Sequence, residues 1–341
     1  MGTNTAPTLH DVARRAGVST ATVSRSLNLP DRVRPQTRAR VELAVAELGY
    51  TPHFGGRALV SNRTNTVGAV IPTMENAIFA RGLQAMQDEF TAGGVTLLVA
   101  TSYYDAEREA EQIRTLLARG VDGLVLIGQA RPDSTYQMLQ ARNIPFLLVW
   151  IYHADSSYPC VGFDNRGAAR AMAEQVLASG HRRVAMISGL TAGNDRAAER
   201  VAGVCDALAA RDIPLEPPYL VEKPYTLDDG GEAAKTLLAL DPRPTAIICG
   251  NDVQAAGALR GSREAGLAVP RDVSIVGFDD IDLAVVVEPA LTTVRVPHRR
   301  MGRAAAKLLL QLIAKVQSPE SVRFDTRIIQ RGSLSAPPDK Y

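Results

Sequence analysis

The chain has 341 residues, of which 46% are hydrophobic and 22% charged, which is enough apolar material for two or three packed units. Its formal net charge of +2 is uneven: residues 1–65 carry nine arginines, no lysine and four acids, a net charge of +5, and the remainder is therefore −3. This basic amino-terminal part predicts a partner rich in phosphate and excludes an evenly charged single core.

Composition also argues against membrane, secreted and metal-bound classes. No apolar run reaches the roughly 18 residues that a membrane span needs, and the first residues lack a signal pattern, so we expect a cytoplasmic protein. Cys160, Cys205 and Cys249 lie far apart and predict free thiols. We therefore expect no disulfide framework, no metal site and no cofactor.

Residues 8–28 predict two short helices joined by a turn at Gly17. Apolar residues recur at i, i+3, i+4 and i+7 of the first helix, which must bury them against a partner: Leu9, Val12, Ala13 and Ala16. Ser19 is a suitable N-cap for the second helix, whose Val23 faces inward. The outward face of the second helix is short, polar and ends in Arg25, which suits the major groove of DNA.

A third helix is predicted with Pro35 in its first turn and Gly49 at its end. Residues 1–52 therefore form a helical unit, and residues 53–65 a linker. From residue 66 onward, apolar runs alternate with helical stretches, which predicts two doubly wound parallel sheets with helices on both faces. The apolar runs are VGAVI (67–71), VTLLVA (95–100), DGLVLI (122–127), PFLLVW (145–150), CVGF (160–163), RVAMIS (183–188), YLV (219–221), TAIICG (245–250), VSIVGF (273–278) and LTTVRV (291–296).

Eight motifs, taken in order, resemble segments of the lactose-repressor (LacI/GalR) family of transcription regulators. They are TLHDVARRAGVSTATVSRSLN, VRPQTRARVELAVAELGYTP, RALVSNRTNTVGAVIP, GFDNRGAARAM, SGHRRVAMISG, CGNDVQAAGAL, VSIVGFDDIDLA and PALTTVRVPHRRMG. The resemblance implies a helix-turn-helix headpiece, a hinge, and an effector-binding and dimerisation core over 66–341, built from two lobes of the periplasmic-binding-protein type I kind. It places lobe 1 at about 66–162 and 297–322, and lobe 2 at about 163–296 and 323–333.

For the headpiece, the resemblance implies contacts with double-stranded, near-palindromic operator DNA. The base-reading positions are Thr20, Ala21 and Arg25. The positions along the phosphates are Thr8, Ser19, Thr22, Ser24, Asn28, Arg34, Thr37 and Tyr50. In the hinge, Leu59 corresponds to the leucine that enters the minor groove, with Arg57 beside it. The chain departs from the family pattern at Gly55 and Gly56, each of which disfavours a helix by about 1 kcal/mol relative to alanine.

For the core, the resemblance implies a small-molecule effector, a sugar or sugar acid, bound between the lobes. Polar residues at the carboxyl ends of the strands agree with this expectation. The implied effector residues are Asn76, Phe79, Trp150, Asp164, Arg196, Arg200, Tyr225, Asn251, Asp279 and His298. Each has an ordinary structural alternative. Asp164 and Asp279 can be helix caps, Arg196 a solvated helix residue, His298 a satisfied surface histidine and Trp150 a core residue.

The commonest behaviour in the family is repression relieved by the effector. A homodimer is expected, and not a four-chain assembly through a C-terminal coiled coil, because the tail SLSAPPDKY has no leucine heptads. A corepressor-type or activator regulator with a non-sugar carboxylate ligand remains an alternative. A sugar-processing enzyme is more remote, because no G-x-G-x-x-G follows a strand and neither a phosphate loop nor a G-x-S-x-G elbow is present.

Overall fold

The computed structural model describes residues 6–51, 63–75, 77–316 and 320–338. The chain divides into two compact units, Met1–Asn65 and Thr66–Tyr341, which we call the headpiece and the core. None of the described helices is long and apolar enough to cross a membrane.

The described headpiece is helical, with α1 at Leu9–Ala16, α2 at Thr20–Asn28, a 3-10 turn at Pro30–Arg32 and α3 at Pro35–Leu48. Both α1 and α3 end at a glycine in the left-handed region, Gly17 at φ 67° and Gly49 at φ 62°. Val12, Val23 and Val41, one from each helix, are fully buried. The predicted helix-turn-helix is therefore confirmed, with its apolar stripe facing the interior.

The first half of the core alternates strands and helices. These elements are β1 Thr66–Ile71, α4 Ala77–Ala92, β2 Thr96–Thr101, α5 Ala106–Ala118, β3 Gly123–Ile127, α6 Asp133–Ala141, β4 Phe146–Val149 and β5 Cys160–Gly162. The short strands are buried along their length in β1, β3, β4 and β5, as expected of parallel strands covered by helices on both faces.

The second half continues the alternation. Its elements are α7 Asn165–Ala178, β6 Val184–Ser188, α8 Asp195–Ala209, β7 Leu220–Glu222 after a 3-10 turn, α9 Leu227–Leu238, β8 Ala246–Cys249, α10 Asp252–Glu264, β9 Ser274–Asp279, α11 Leu283–Val286, β10 Thr292–Arg295, α12 His298–Ile313, β11 Val322–Arg323 and β12 Arg327–Ile329. Cys160, Cys205 and Cys249 are free thiols, the second of them only partly buried.

Two six-stranded sheets organise the core. The first has the order β11-β5-β4-β3-β1-β2 and is parallel throughout, and the second has the order β12-β10-β9-β8-β6-β7. The two predicted parallel sheets are confirmed, with one antiparallel pair at an edge of the second sheet, where β12 runs against β10. After β11 the chain makes a short connection to β12, which runs beside β10 in the opposite direction. A parallel partner would need a longer crossover connection.

The chain passes three times between the sheets. It leaves the first sheet after β5, returns from β10 to α12, which packs on α4, β3 and β4, and leaves again between β11 and β12. We call the first sheet with α4 to α6 and α12 lobe 1, and the second sheet with its helices lobe 2. The carboxyl ends of strands from both lobes consequently face one cleft.

Candidate functional site

The outer face of α2 carries the three residues expected to read bases. Ala21 and Arg25 are exposed and Thr20 is half-buried, whereas Val23 lies on the opposite side in the core. Arg25 makes no ion pair within the described headpiece, whereas Arg15 lies 2.6 Å from Glu47 and Arg38 lies 3.4 Å from Glu42. The Arg25 guanidinium is thus free to meet an external acceptor.

The polar residues expected along the phosphates cluster at helix amino termini. Thr8 caps α1 and exchanges hydrogen bonds with Asp11, and Ser19 caps α2 by accepting from the Thr22 N–H at 3.2 Å. Exposed helix amino termini attract anions through their unsatisfied N–H groups. Arg34 and Thr37 lie at the start of α3 in the same way.

The five other expected DNA contacts do not lie at helix amino termini of the described headpiece. Asn28 donates to the Ser24 hydroxyl at 3.2 Å, so these two side chains are tied together on the last turns of α2. Tyr50 is only 7% exposed and packs in the headpiece core, so the structure does not bring its ring to the polar face. Arg57 and Leu59 lie outside the described residues, as do Gly55 and Gly56.

In the core, six of the ten expected effector residues line one narrow cleft between the lobes: Phe79, Arg196, Arg200, Tyr225, Asn251 and Asp279. Asn76 lies outside the described residues. Asp164 is the N-cap of α7, accepting from the Gly167 N–H at 2.8 Å, and does not line this cleft. For Asp164 the structure therefore shows the helix-cap alternative.

The two arginines of the cleft already donate hydrogen bonds to acceptors of the protein. Arg196 Nη1 donates to Asp195 at 2.7 Å, and the other Asp195 oxygen accepts from the Gln129 N–H of lobe 1 at 2.6 Å. Arg200 donates to Asn165 Oδ1 at 3.0 Å and to the Gly250 carbonyl at 2.7 Å. Neither arginine is the solvated helix residue that its spacing alone allows, since both are nearly buried.

Asp279, the last residue of β9, is the group in the cleft that lacks a partner. It is 1% exposed, and neither carboxylate oxygen has a hydrogen bond in the described structure. Burial raises its pKa to about 6, opposed by the charge of Arg200. It is not a helix cap, so the cap alternative is wrong for this residue. A buried carboxylate without donors favours a ligand that brings them.

Trp150 and His298 lie behind the cleft and not on its surface. Trp150 is 1% exposed, its ring meets Phe79 edge to face at 5.5 Å, and its indole N–H donates to His298 Nδ1 at 3.1 Å. For Trp150 the structure therefore shows the core alternative, because α4 and α12 cover the indole. Gly82 of α4 lies against the ring so closely that a side chain there cannot fit.

Three lining residues were absent from the sequence-based set: Ile78, Tyr104 and Asn194. Tyr104 faces Tyr225 across the cleft with ring centroids 6.1 Å apart, and burial raises the pKa of its phenol. Asn194 is the buried N-cap of α8. No periodic signal marks Tyr104, which follows β2 in a turn.

Backbone strain marks this cleft. Tyr103, Tyr104, Trp150, Asp279 and Asp280 all have positive φ, between 55° and 106°, at strand ends next to the cleft. Non-glycine residues reach this region at a free-energy cost of order 1–3 kcal/mol each and are concentrated at binding sites.

The comparisons with known proteins agree with this geometry. Residues 8–53 match the model for bacterial regulatory proteins of the lacI family, and residues 173–334 match the periplasmic binding protein-like domain. Catabolite control protein A of Priestia megaterium is 33% identical over 324 residues, which cover 93% of this chain and 98% of the relative. The chain belongs to the LacI family of bacterial regulatory proteins.

Solved structures of LacI-family proteins share the fold across nearly the whole chain. The lac repressor dimer bound to operator and the anti-inducer ONPF superposes with a TM-score of 0.84 at 27% identity, covering 97% of this chain and 100% of the other. The complex of the transcriptional regulator CelR with cellobiose gives 0.71 at 31% identity, covering 96% and 99%. The chain is thus a DNA-binding transcriptional regulator with an effector-binding core, and not an enzyme.

Proposed function

We propose that this LacI-family protein is a cytoplasmic homodimeric repressor that holds a near-palindromic operator through two headpieces and releases it when a small effector binds between the lobes. Thr20, Ala21 and Arg25 read bases, and the residues at the helix amino termini hold phosphates. The observation that carries the proposal is the exposed Arg25 without an ion pair, at the end of the outer face of α2 in a unit of net charge +5.

The DNA-binding part is tested with duplexes selected from a random pool by the full-length protein. Arg25→Ala should weaken binding to the selected duplex by about 1–3 kcal/mol and relax one base position, because a bidentate contact to guanine is lost. Arg142→Ala removes an exposed arginine of the core and serves as the matched control. Unchanged affinity of the Arg25 variant at fixed salt contradicts the assignment.

For the effector, we propose a sugar or sugar acid, and the balance of contacts favours the neutral sugar. Arg196 and Arg200 are already engaged by protein acceptors, whereas the Asp279 carboxylate is unengaged and repels an anionic ligand. Sugar hydroxyls donate hydrogen bonds to such a carboxylate. The cellobiose complex of CelR, a relative of the same fold, supports a carbohydrate.

Thermal stabilisation of the full-length protein by a panel of sugars, sugar acids and small carboxylates tests this choice. A neutral sugar should raise the melting temperature of the wild type but not of Asp279→Ala, whereas Asp212→Ala, an exposed aspartate of lobe 2, should respond like the wild type. Stabilisation by a carboxylate alone supports the corepressor-type alternative, for which Arg196 and Arg200 supply the positive charge.

The remaining part of the proposal is the coupling between effector binding and operator binding. If the effector lowers operator affinity, the operator must lower effector affinity by the same factor. Operator affinity that stays constant at saturating effector contradicts the coupling while leaving DNA recognition intact.

A further inference from the structure

Behind the cleft, three buried side chains from distant parts of the chain form a line across the two lobes. Trp150 follows β4 of lobe 1, His298 opens α12 on the same lobe, and Asp279 ends β9 of lobe 2. The indole nitrogen lies 3.1 Å from His298 Nδ1, and His298 Nε2 lies 3.7 Å from the nearer Asp279 oxygen. All three side chains are at least 97% buried.

The tautomer of His298 follows from its neighbour. An indole N–H only donates, so His298 Nδ1 must be the acceptor and carries no proton. The single proton of the neutral ring is then on Nε2, the nitrogen that faces Asp279. His298 Nε2 and both Asp279 oxygens are buried without a hydrogen-bond partner, so a donor and its acceptor face each other across the lobes just beyond hydrogen-bond distance.

We propose that Trp150 is a positioning residue, which fixes His298 as an Nε2–H donor so that lobe 1 presents a hydrogen bond to the Asp279 carboxylate of lobe 2 as the lobes close. We call this the Trp–His–Asp latch. It deepens the proposed function, on which it rests, by naming a contact that links effector-site geometry to lobe closure. An approach of less than 1 Å completes the bond.

Charges around the latch keep His298 neutral. Burial lowers the pKa of His298 to about 3, the charges of Arg81 of α4 and Arg200 of α8 act in the same direction, and the Asp279 backbone carbonyl opposes them. Protonation of Nδ1 also places two donors against each other at the indole. Asp279 faces His298 and Arg200, and it raises the pKa of Asp252 at the start of α10. The carboxylate therefore takes up the first proton of the pair, below about pH 6, and the latch then loses its charged acceptor and is weakened.

The tautomer is measured directly on the full-length protein with ¹⁵N-labelled histidine, and the His298 signal is assigned by its absence in His298→Phe. The wild type should show the Nε2–H form at pH 7.5. Trp150→Phe should raise the Nδ1–H population about fivefold, the value of one ordinary hydrogen bond. Phe79→Leu, which alters packing on the same indole but keeps its N–H, should leave the tautomer unchanged.

An Nδ1–H or doubly protonated His298 in the wild type overturns the proposal, and so does an unchanged tautomer in folded Trp150→Phe. If that variant does not fold, the wild-type spectrum alone decides. Neither operator nor effector is needed, so this result is independent of whether the proposed repressor function holds.

The contact between lobes is tested by a double-mutant cycle of His298→Phe and Asp279→Asn in denaturant unfolding of the full chain. The two changes should be coupled about threefold or more in the unfolding equilibrium constant at pH 7.5, with a smaller factor at pH 5. The control cycle of His298→Phe with Asp212→Asn should be additive. Additivity of the first cycle at both pH values contradicts an interaction across the lobes.

Discussion

The two walls of the effector cleft differ in chemistry. Lobe 1 contributes Ile78, Phe79 and Tyr104, an apolar and aromatic wall backed by Trp150. Lobe 2 contributes mainly charged and amide groups, namely Asn194, Arg196, Arg200, Asn251 and Asp279, with Tyr225. A ligand that fits both walls has one apolar face and an edge of hydrogen-bonding groups, as a sugar ring does. The two lobes therefore recognise a ligand in different ways. Lobe 1 supplies apolar contact area, and lobe 2 supplies directional hydrogen bonds.

The two walls also differ in whether their buried groups have interaction partners. The aromatic wall consists of well-packed apolar side chains. The polar wall holds the buried Asp279 carboxylate, which has no hydrogen-bond donor, and the charge of Asp279 acts on a second buried carboxylate, Asp252. Substitutions in lobe 1 should therefore act on stability first, and those in lobe 2 should alter pH dependence and ligand binding.

The largest expected effect is on the aromatic wall. Phe79→Ala should lower the free energy of unfolding by about 3–5 kcal/mol, because the ring is 2% exposed and its removal leaves a cavity beside Trp150. Denaturant unfolding measures it. Phe79→Leu should lower the free energy of unfolding by less than half as much as Phe79→Ala. A loss below about 1 kcal/mol, close to that of a surface substitution, contradicts the packing role.

Arg200→Met tests the polar wall. It should lower the free energy of unfolding by about 2–3 kcal/mol, because the acceptors on Asn165 and Gly250 are left buried without their donor. The charge that opposes the raised pKa of Asp279 also disappears, so that pKa should rise further. Unfolding and carboxyl titration measure the two effects. Arg170→Met, which breaks only an exposed pair with Glu174, should change stability by about 0.5 kcal/mol or less.

Asp252→Asn should remove a pH dependence. Burial, with the nearby charge of Asp279, raises the Asp252 pKa from 3.8 to about 8, so the folded state binds the proton more tightly than the unfolded state. Its stabilising contribution is therefore full below about pH 4 and is lost as pH rises to about 8. At pH 8.5 the asparagine variant should be more stable than the wild type, by on the order of 1–2 kcal/mol.

The same comparison at pH 4 should show little difference for Asp252→Asn, because an amide can still accept from the Ile281 N–H and donate to Thr293. Parallel stability curves for the two proteins from pH 4 to 8.5 contradict the raised pKa of Asp252.

The smallest expected effect concerns Asp164, which caps α7 and does not line the cleft. Asp164→Ala should lower stability by about 1 kcal/mol through loss of the α7 cap, and Asp164→Ser should restore most of it. Thermal unfolding measures this change. Ligand stabilisation that is lost in the folded serine variant, despite a restored cap, shows instead that Asp164 contacts the effector.

Local signals in the sequence were sufficient for the elements of this protein. Gly17, Pro35 and Gly49 delimit the headpiece helices as expected, because a left-handed glycine and a first-turn proline act within one helical turn. The ten predicted core strands all appear, with no end shifted by more than one residue, because buried parallel strands are continuous apolar runs. The ordered motifs then identified the family, and with it most of the cleft.

Only the tertiary structure decided which polar groups have hydrogen-bond partners. Trp150 and His298 are 148 residues apart, and no periodicity relates an indole to the imidazole that covers it. Tyr104 enters the cleft from a strained turn, and β12 pairs antiparallel because of where the returning chain meets β10. Periodicity reports the face of one element, whereas burial, hydrogen-bond partners and the shifted pKa of Asp279 depend on which elements meet. The sequence therefore determined the two units and their helices and strands, and only packing of the lobes made the unpaired carboxylate and the fixed tautomer.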